Sequence, residues 1–203
     1  RTEKTSLAIG HLFNYETKFY QFDDAAQNEY FGTAFLDVVS DRARLKTMHN
    51  EFNVKFSNAT LGRLQGSLGL YNYNYFFNSK LITEDQIIDN QLKGEEVVLG
   101  AKYSNQIKGF KVSADVQYTI SGQLTSNLMK ATAQYMINDN NSLKASVHSS
   151  TRMPDFNFLL YQSEYSNSNW QNTSTFENEI VRGVRFDFES NFWGSLSVDY
   201  TTV

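Results

Sequence analysis

Between Phe110 and Ile120 every even position is apolar or aromatic and every odd position is polar or charged. A period of two is the signature of a β-strand with one oily face and one wet face. The same alternation returns at about residues 4–20, 43–57, 63–77, 95–104, 110–120, 127–137, 142–151, 179–190 and 195–203, which predicts nine strands. The connections between them alternate in length. Long stretches at 21–42, 78–94 and 152–178, with a six-residue one at 121–126, take turns with short ones at 58–62, 105–109, 138–141 and 191–194. The short ones carry Asn, Asp or Gly, where a tight hairpin needs positive φ or a side-chain hydrogen bond to the backbone. Successive connections of an up-and-down meander lie at opposite ends, so this sheet has one trim end and one elaborate end. Transmembrane barrels share that asymmetry, with short periplasmic turns and longer extracellular loops.

The aromatic residues point the same way. On the apolar parity, Phe56, Tyr103, Phe110, Tyr135 and Phe188 fall near the short turns, whereas Tyr118 and Tyr200 lie toward the other ends of their strands. Eight residues separate Phe110 from Tyr118, which at ~3.3 Å per residue and a tilt of ~40° is on the order of 20 Å of height. A hydrocarbon band of ~25 Å between two aromatic girdles is the corresponding feature of an outer-membrane barrel. Between the belts sit Val112, Ala114 and Val116 on one strand, and Met129, Ala131 and Ala133 on another. A soluble meander packed on a second sheet shares the period of two. It accounts for neither the one-sided loops nor the belts.

Composition narrows the reading. One Pro, a mean hydropathy of −0.47 and no apolar run near ~18 residues exclude a helical membrane protein but not a barrel, whose strands hide in a polar average. With a net charge of −4 there is no basic footprint for nucleic acid, and without Cys there is no disulfide scaffold, zinc ribbon or thiol nucleophile. The fold class expected is therefore all-β, an antiparallel up-and-down transmembrane β-barrel of outer-membrane type. Nine is an odd number and single-chain bacterial barrels are usually even. Arg1 is not an initiator Met and Val203 stops inside an alternating run, so residues 1–203 are expected to be a single partial barrel domain of a larger one.

Chemistry of the enzymatic kind finds no support. His11, His49 and His148 lie on separate strands without a second ligand at metal spacing, and solvated histidines are the simpler reading. Asp23-Asp24, Glu84-Asp85 and Glu95-Glu96 sit in or beside the long loops, where a solvated rim, cross-bridged by divalent cations to lipopolysaccharide, explains them. No Ser-His-Asp order, nucleophile elbow or phosphate-cradling Gly-rich loop is present. Neither a catalytic residue, a cofactor nor a metal is expected.

The segment Ser149-Ser150-Thr151-Arg152-Met153-Pro154-Asp155-Phe156-Asn157-Phe158-Leu159-Leu160-Tyr161-Gln162-Ser163-Glu164-Tyr165, followed by Asn169-Trp170-Gln171-Asn172, resembles the "putative porin" family of Bacteroidetes outer membranes. Leu92-Lys93-Gly94-Glu95-Glu96-Val97-Val98-Leu99-Gly100 and the ending Gly194 to Val203 are similar to the same family, and the resemblance is best over roughly 90–203. It implies an outer-membrane barrel of several hundred residues, of which about a third is present. It brings no catalytic or cofactor residues.

If the apolar parity meets outer-membrane lipid, the other lines the interior. That places Lys55, Lys102, Lys111, Asp115, Gln117, Lys130, Gln134, Lys144, His148, Arg185, Asp187 and Asp199 on a pore wall, with Asn53 and Ser113 beside them. Its cationic lean suits a weak anion preference, although a wet interior also needs mixed charges for solvation and cross-strand pairing. The 152–178 loop is too long and aromatic for an idle connector. Phe156, Phe158, Tyr161, Tyr165 and Trp170 are its candidate contacts, either for a partner, as a constriction in the mouth, or as a self-packed rim. Ile87, Ile88 and Leu92 have helical spacing and predict a helical turn in the 78–94 loop. The functional expectation is a passive channel for small hydrophilic solutes in the bacterial outer membrane. A non-conducting barrel subunit, bound to protein partners in an export or assembly complex, is the alternative, and the wall of an energy-coupled transporter is a further one.

Overall fold

A computed structural model describes residues 5–82 and 87–203. Lys4, at the start of the first expected strand, and the Glu84-Asp85 pair lie outside the described residues. The elements in chain order are β1 (Thr5–Asp24), a 3-10 turn (Glu29–Phe31), β2 (Val39–Asn58), β3 (Gly62–Phe76), β4 (Leu81–Ile82), β5 (Ile87–Ile88), β6 (Gln91–Ile107), β7 (Phe110–Ser121), β8 (Asn127–Asn138) and β9 (Asn141–Arg152), then α1 (Phe156–Leu159), β10 (Leu160–Tyr161), β11 (Trp170–Gln171), β12 (Glu179–Ser190) and β13 (Gly194–Thr202). Nine strands form one antiparallel sheet in the order β1-β2-β3-β6-β7-β8-β9-β12-β13. Each expected strand is present, and every neighbour in the sheet is the next long strand in sequence. The sheet does not close: β1 and β13 each pair on one side only. A bilayer offers no partner for a row of free backbone groups, so this is part of a larger barrel wall.

The short connections close as their residues dictate. Asn58 Oδ1 accepts from the backbone N–H of Thr60 at 2.8 Å and of Leu61 at 3.0 Å, and Gly62 follows at φ 83°. Ser190 Oγ accepts from Phe192 and Trp193, both at 3.2 Å, before Gly194 at φ 86°. In the 105–109 turn it is Lys108, not Gly109, that takes the positive φ, at 53°. At the opposite end Gly122 has φ 134°, and the Glu96 carboxylate fills the space a β-carbon would need. That carboxylate accepts from the backbone N–H of both Gln123 and Leu124 at 2.9 Å, so one buried side chain of β6 fixes the β7–β8 turn.

The long connections differ from expectation in two respects. β1 and β2 run on through residues that read as loop, so their connection shrinks to 25–38. Ile87 and Ile88 form no helical turn. They pair with Ile82 and Leu81 as a two-stranded ribbon, β4–β5, which turns Ile88 inward to 1 % exposure. Apolar spacing at 87, 88 and 92 suits a helix, but the antiparallel pairing of Leu81 with Ile88 and the burial of Ile88 decide the outcome.

Burial follows the oily and wet faces in an order inverse to that of a soluble protein. Leu7, Ile9, Phe52, Leu64, Leu68, Leu99, Val116, Tyr118, Met129, Leu143, Phe186 and Val198 all stand exposed on one face. A continuous apolar face of this size is a membrane contact. The compact core lies elsewhere: Ala43, Tyr75, Phe77, Ile88 and Leu160, with Leu45, Leu81, Leu92, Phe156 and Tyr161 against them, at the long-loop end.

Candidate functional site: the wet face and its cap

Strand register assembles the wet face row by row. Lys55 faces Gln65, Gln65 faces Lys102, Lys102 faces Asp115, Asp115 faces Lys130 and Lys130 faces His148, so one row crosses six strands. A neighbouring row runs Lys111, Gln134, Lys144, Asp187. Gln117 and Asn53 belong to a parallel row through Gly100 and Ser67, and Arg185 faces Asp199. The side chains that these rows bring together pair in part. Lys102 lies 3.0 Å from Asp115, Arg185 is 2.8 Å and Lys144 3.7 Å from Asp187, and Ser197 donates to Asp187 at 2.7 Å. Asp187, itself buried, is thus the hub of a charge network whose cations, Lys144 and Arg185, stay partly exposed, and these partners offset its withdrawal from water. Lys55, Lys111 and Lys130 have no carboxylate within 4.0 Å among the described residues.

Arg63 belongs to the same face and escaped the sequence reading. It faces Ser104 and Ser57, and with Lys55, Lys102 and Lys130 it lines a groove of about 710 Å³ whose one carboxylate is Asp115. Its position at the first turn of β3 hid it, although the parity of Gln65 and Ser67 carries the signal.

Toward the long-loop end the faces exchange character. The outward positions of β2 and β3 run Phe56, Val54, Phe52 and Leu64, Leu68, Leu70, and then become Lys46, Arg44 and Asn72, Asn74. On β6 they change from Tyr103, Leu99 and Val97 to Glu95 and Lys93. Asn72 donates to Glu95 at 2.8 Å and Gln91 to Asn74 at 2.9 Å, a polar surface built for water. Inward, the same strands turn from Lys55 and Gln65 to Ala43, Leu45, Tyr73 and Tyr75. The wall therefore continues beyond the bilayer with its oily side reversed.

What covers the reversed side is the 153–178 connection. It leaves β9, which lies five strands from β2 in the sheet, a distance of roughly 24 Å at ~4.8 Å per strand. It crosses that span over the wet face and docks on the inner side of β2 and β3. Leu160 enters the core there, and Phe156 stacks on Tyr75 at 5.6 Å. Asp41 accepts from Ser163 Oγ and, at 2.7 Å, from the Glu164 N–H. Tyr165 donates to Asp24 at 2.9 Å, and its backbone bridges Ala34 in the first long connection. Gln162 donates to the carbonyls of Ile88 and Asp89 in the second. All three long connections are thus one cap. Within it Trp170 stacks on Tyr161 at 4.9 Å and Tyr165 is buried, while Phe158 stays 53 % exposed.

A family model matches residues 1–203. The chain belongs to the family described as "Putative porin". No curated protein and no solved structure matches it. Family and fold together make this a porin-like outer-membrane β-barrel protein, and both point away from an enzyme. No group of three His, Cys, Asp or Glu that could hold a metal occurs among the described residues.

The cap of this porin-family wall is expected to loosen at alkaline pH. Burial, then the neighbouring Tyr20 and Asp41, push the Tyr161 phenol up to about 12. Between the ordinary tyrosine value of ~10 and that raised one, the open loop releases a proton that the closed cap retains. Closure is therefore fully supported below ~10 and weakens as pH rises through the higher value. Protease cleavage within 153–178 is expected to set in over that window, and Tyr161→Phe is expected to delay it. Equal onset in both proteins would show that this phenol does not govern the cap.

Proposed function

We propose that the barrel is a passive channel for small hydrophilic solutes, with the wet face as its aqueous wall and the cap as a constriction at the long-loop mouth. The observation that carries this reading is the continuous inward row from Lys55 to His148, charged and hydrogen-bonding across six strands with no apolar break. Such a wall solvates a permeating solute by exchange of one polar partner for the next. Cations without a carboxylate partner, namely Lys55, Lys111 and Lys130, tilt the field toward anions, as rings of Lys do in pores. Bilayer lipid contacts the outer face, and lipopolysaccharide the polar rim.

Planar-bilayer recording of the full-length protein tests this. Discrete conductance steps are expected, with a zero-current potential displaced to the anion side in a salt gradient. A clean preparation that never conducts would sink the channel. The second reading, a non-conducting barrel subunit that docks protein partners, is favoured by one feature, the cross-linking of all three long connections into a cap. A stoichiometric partner retained after gentle detergent extraction is its expected mark.

A further inference from the structure

The cap contains a cleft of about 880 Å³ whose lining is largely aromatic. Two groups of rings contribute to it. Tyr161 and Trp170 stack with an interplanar angle of 22°, while Phe31 lies 5.3 Å from Tyr165 and 6.0 Å from Phe22. Both groups line the cleft, the second with Phe31 as its open ring, because Tyr165 is buried at 2 % exposure. Phe158 projects into the same cleft, more than half exposed.

The polar groups of the cleft divide into two kinds. Asp41 is engaged by Ser163 and Glu164, and Lys18 by Glu16 at 2.9 Å. The side chains of Asp155, Asn157 and Ser168 also line the cleft and hydrogen-bond to no other described side chain or backbone. They provide a carboxylate acceptor, an amide with both functions and a hydroxyl, set beside exposed ring faces. An apolar solute would bury these three without replacing their water, at a cost that grows with each unmatched group. An anion would meet Asp155 and Asp41. A pyranose satisfies both requirements, because its axial C–H bonds form an apolar face that lies on a ring while its hydroxyls donate and accept around the edge. The volume is that of an ordinary ligand site and accommodates roughly three sugar rings.

We propose that this cleft binds a neutral oligosaccharide, held by stacking on its lining rings, Phe158 and Phe31 foremost, and by hydroxyl contacts to Asp155, Asn157 and Ser168. The proposal concerns binding at the mouth and does not require that the barrel conduct.

Isothermal titration of the full-length protein with maltotriose and cellotriose tests it. Saturable binding of at least one is expected, insensitive to added salt because the ligand carries no charge. Phe158→Ala removes an exposed ring without opening the core and is expected to weaken binding about tenfold, the scale of one aromatic contact. Asn157→Ala is expected to weaken it as well. Phe192→Ala, an exposed ring in a short turn at the far end of the wall, is expected to leave it unchanged. Absence of saturation with both sugars overturns the proposal, as does saturation that Phe158→Ala and Asn157→Ala leave intact. Binding without conductance would retain the glycan site and discard the channel, and conductance without binding would do the reverse.

Discussion

Leu160→Ala is expected to open the cap while the wall stays folded. Leu160 is 1 % exposed and packs with Ala43, Tyr75, Phe77 and Ile88, side chains drawn from β2, β3 and the second long connection. Truncating a fully buried leucine costs about 2–5 kcal/mol. The cost falls on the cap, because none of the ladder hydrogen bonds between the nine strands involves residue 160. A loss of that size shifts closure toward the open loop by at least tenfold. Limited proteolysis of the full-length protein should show cleavage within 153–178 at a correspondingly higher rate, and the conductance of a channel so opened should rise. If instead the loop stays resistant while the whole sheet melts earlier, cap and wall are one cooperative unit and the constriction idea fails.

A second large effect is expected from adjacent residues of β8. Ala131 faces Ala114 and Val147 on the apolar side, and Thr132 faces Ser113 and Ser146 on the wet side. Ala131→Arg places a guanidinium against lipid and should cost about 2–4 kcal/mol near the bilayer midplane. Thr132→Arg directs the same group into water beside hydroxyls and should cost far less. Urea titration of each variant refolded into lipid vesicles measures the difference. Similar losses at both positions would mean that the faces have been assigned wrongly, since chemistry and sequence neighbourhood are nearly the same and only the side of the sheet differs.

The wall was legible because a bilayer demands the same alternation of every strand that crosses it. Phe110 to Ile120 shows the period without a break, and the structure gives β7 as Phe110–Ser121. Legibility ends where the outer solvent changes. Asp23, Asp24, Asp41 and Arg42 look like loop residues, yet they extend β1 and β2, because their outward neighbours meet water and their inward ones meet the cap. Period-two reading assumes one oily face throughout, and here that face changes sides near Met48. The cap was legible only as an excess of aromatics. That Ser163 reaches Asp41 across 122 positions, or that Gln162 reaches Ile88, depends on the curvature of the sheet between them, which no local pattern carries. Glu96 shows the same limit on a smaller scale: it read as half of a rim pair, and a bulge between Val97 and Val98 lies beside the point where it reaches the next turn.

The long reach of the Asp41 latch also sets a timetable. Asp41 belongs to β2 and its partners to the segment that follows β9, so closure waits until the wall from β2 to β9 exists. Strand pairs between sequence neighbours close small loops and form early, whereas a contact over 122 residues bears a larger entropic cost. During assembly, then, Ala43, Leu45 and Tyr75 face an open vestibule with nothing on them. A helper that receives the nascent barrel would meet a greasy, unlidded mouth until the segment after β9 arrives to cover it.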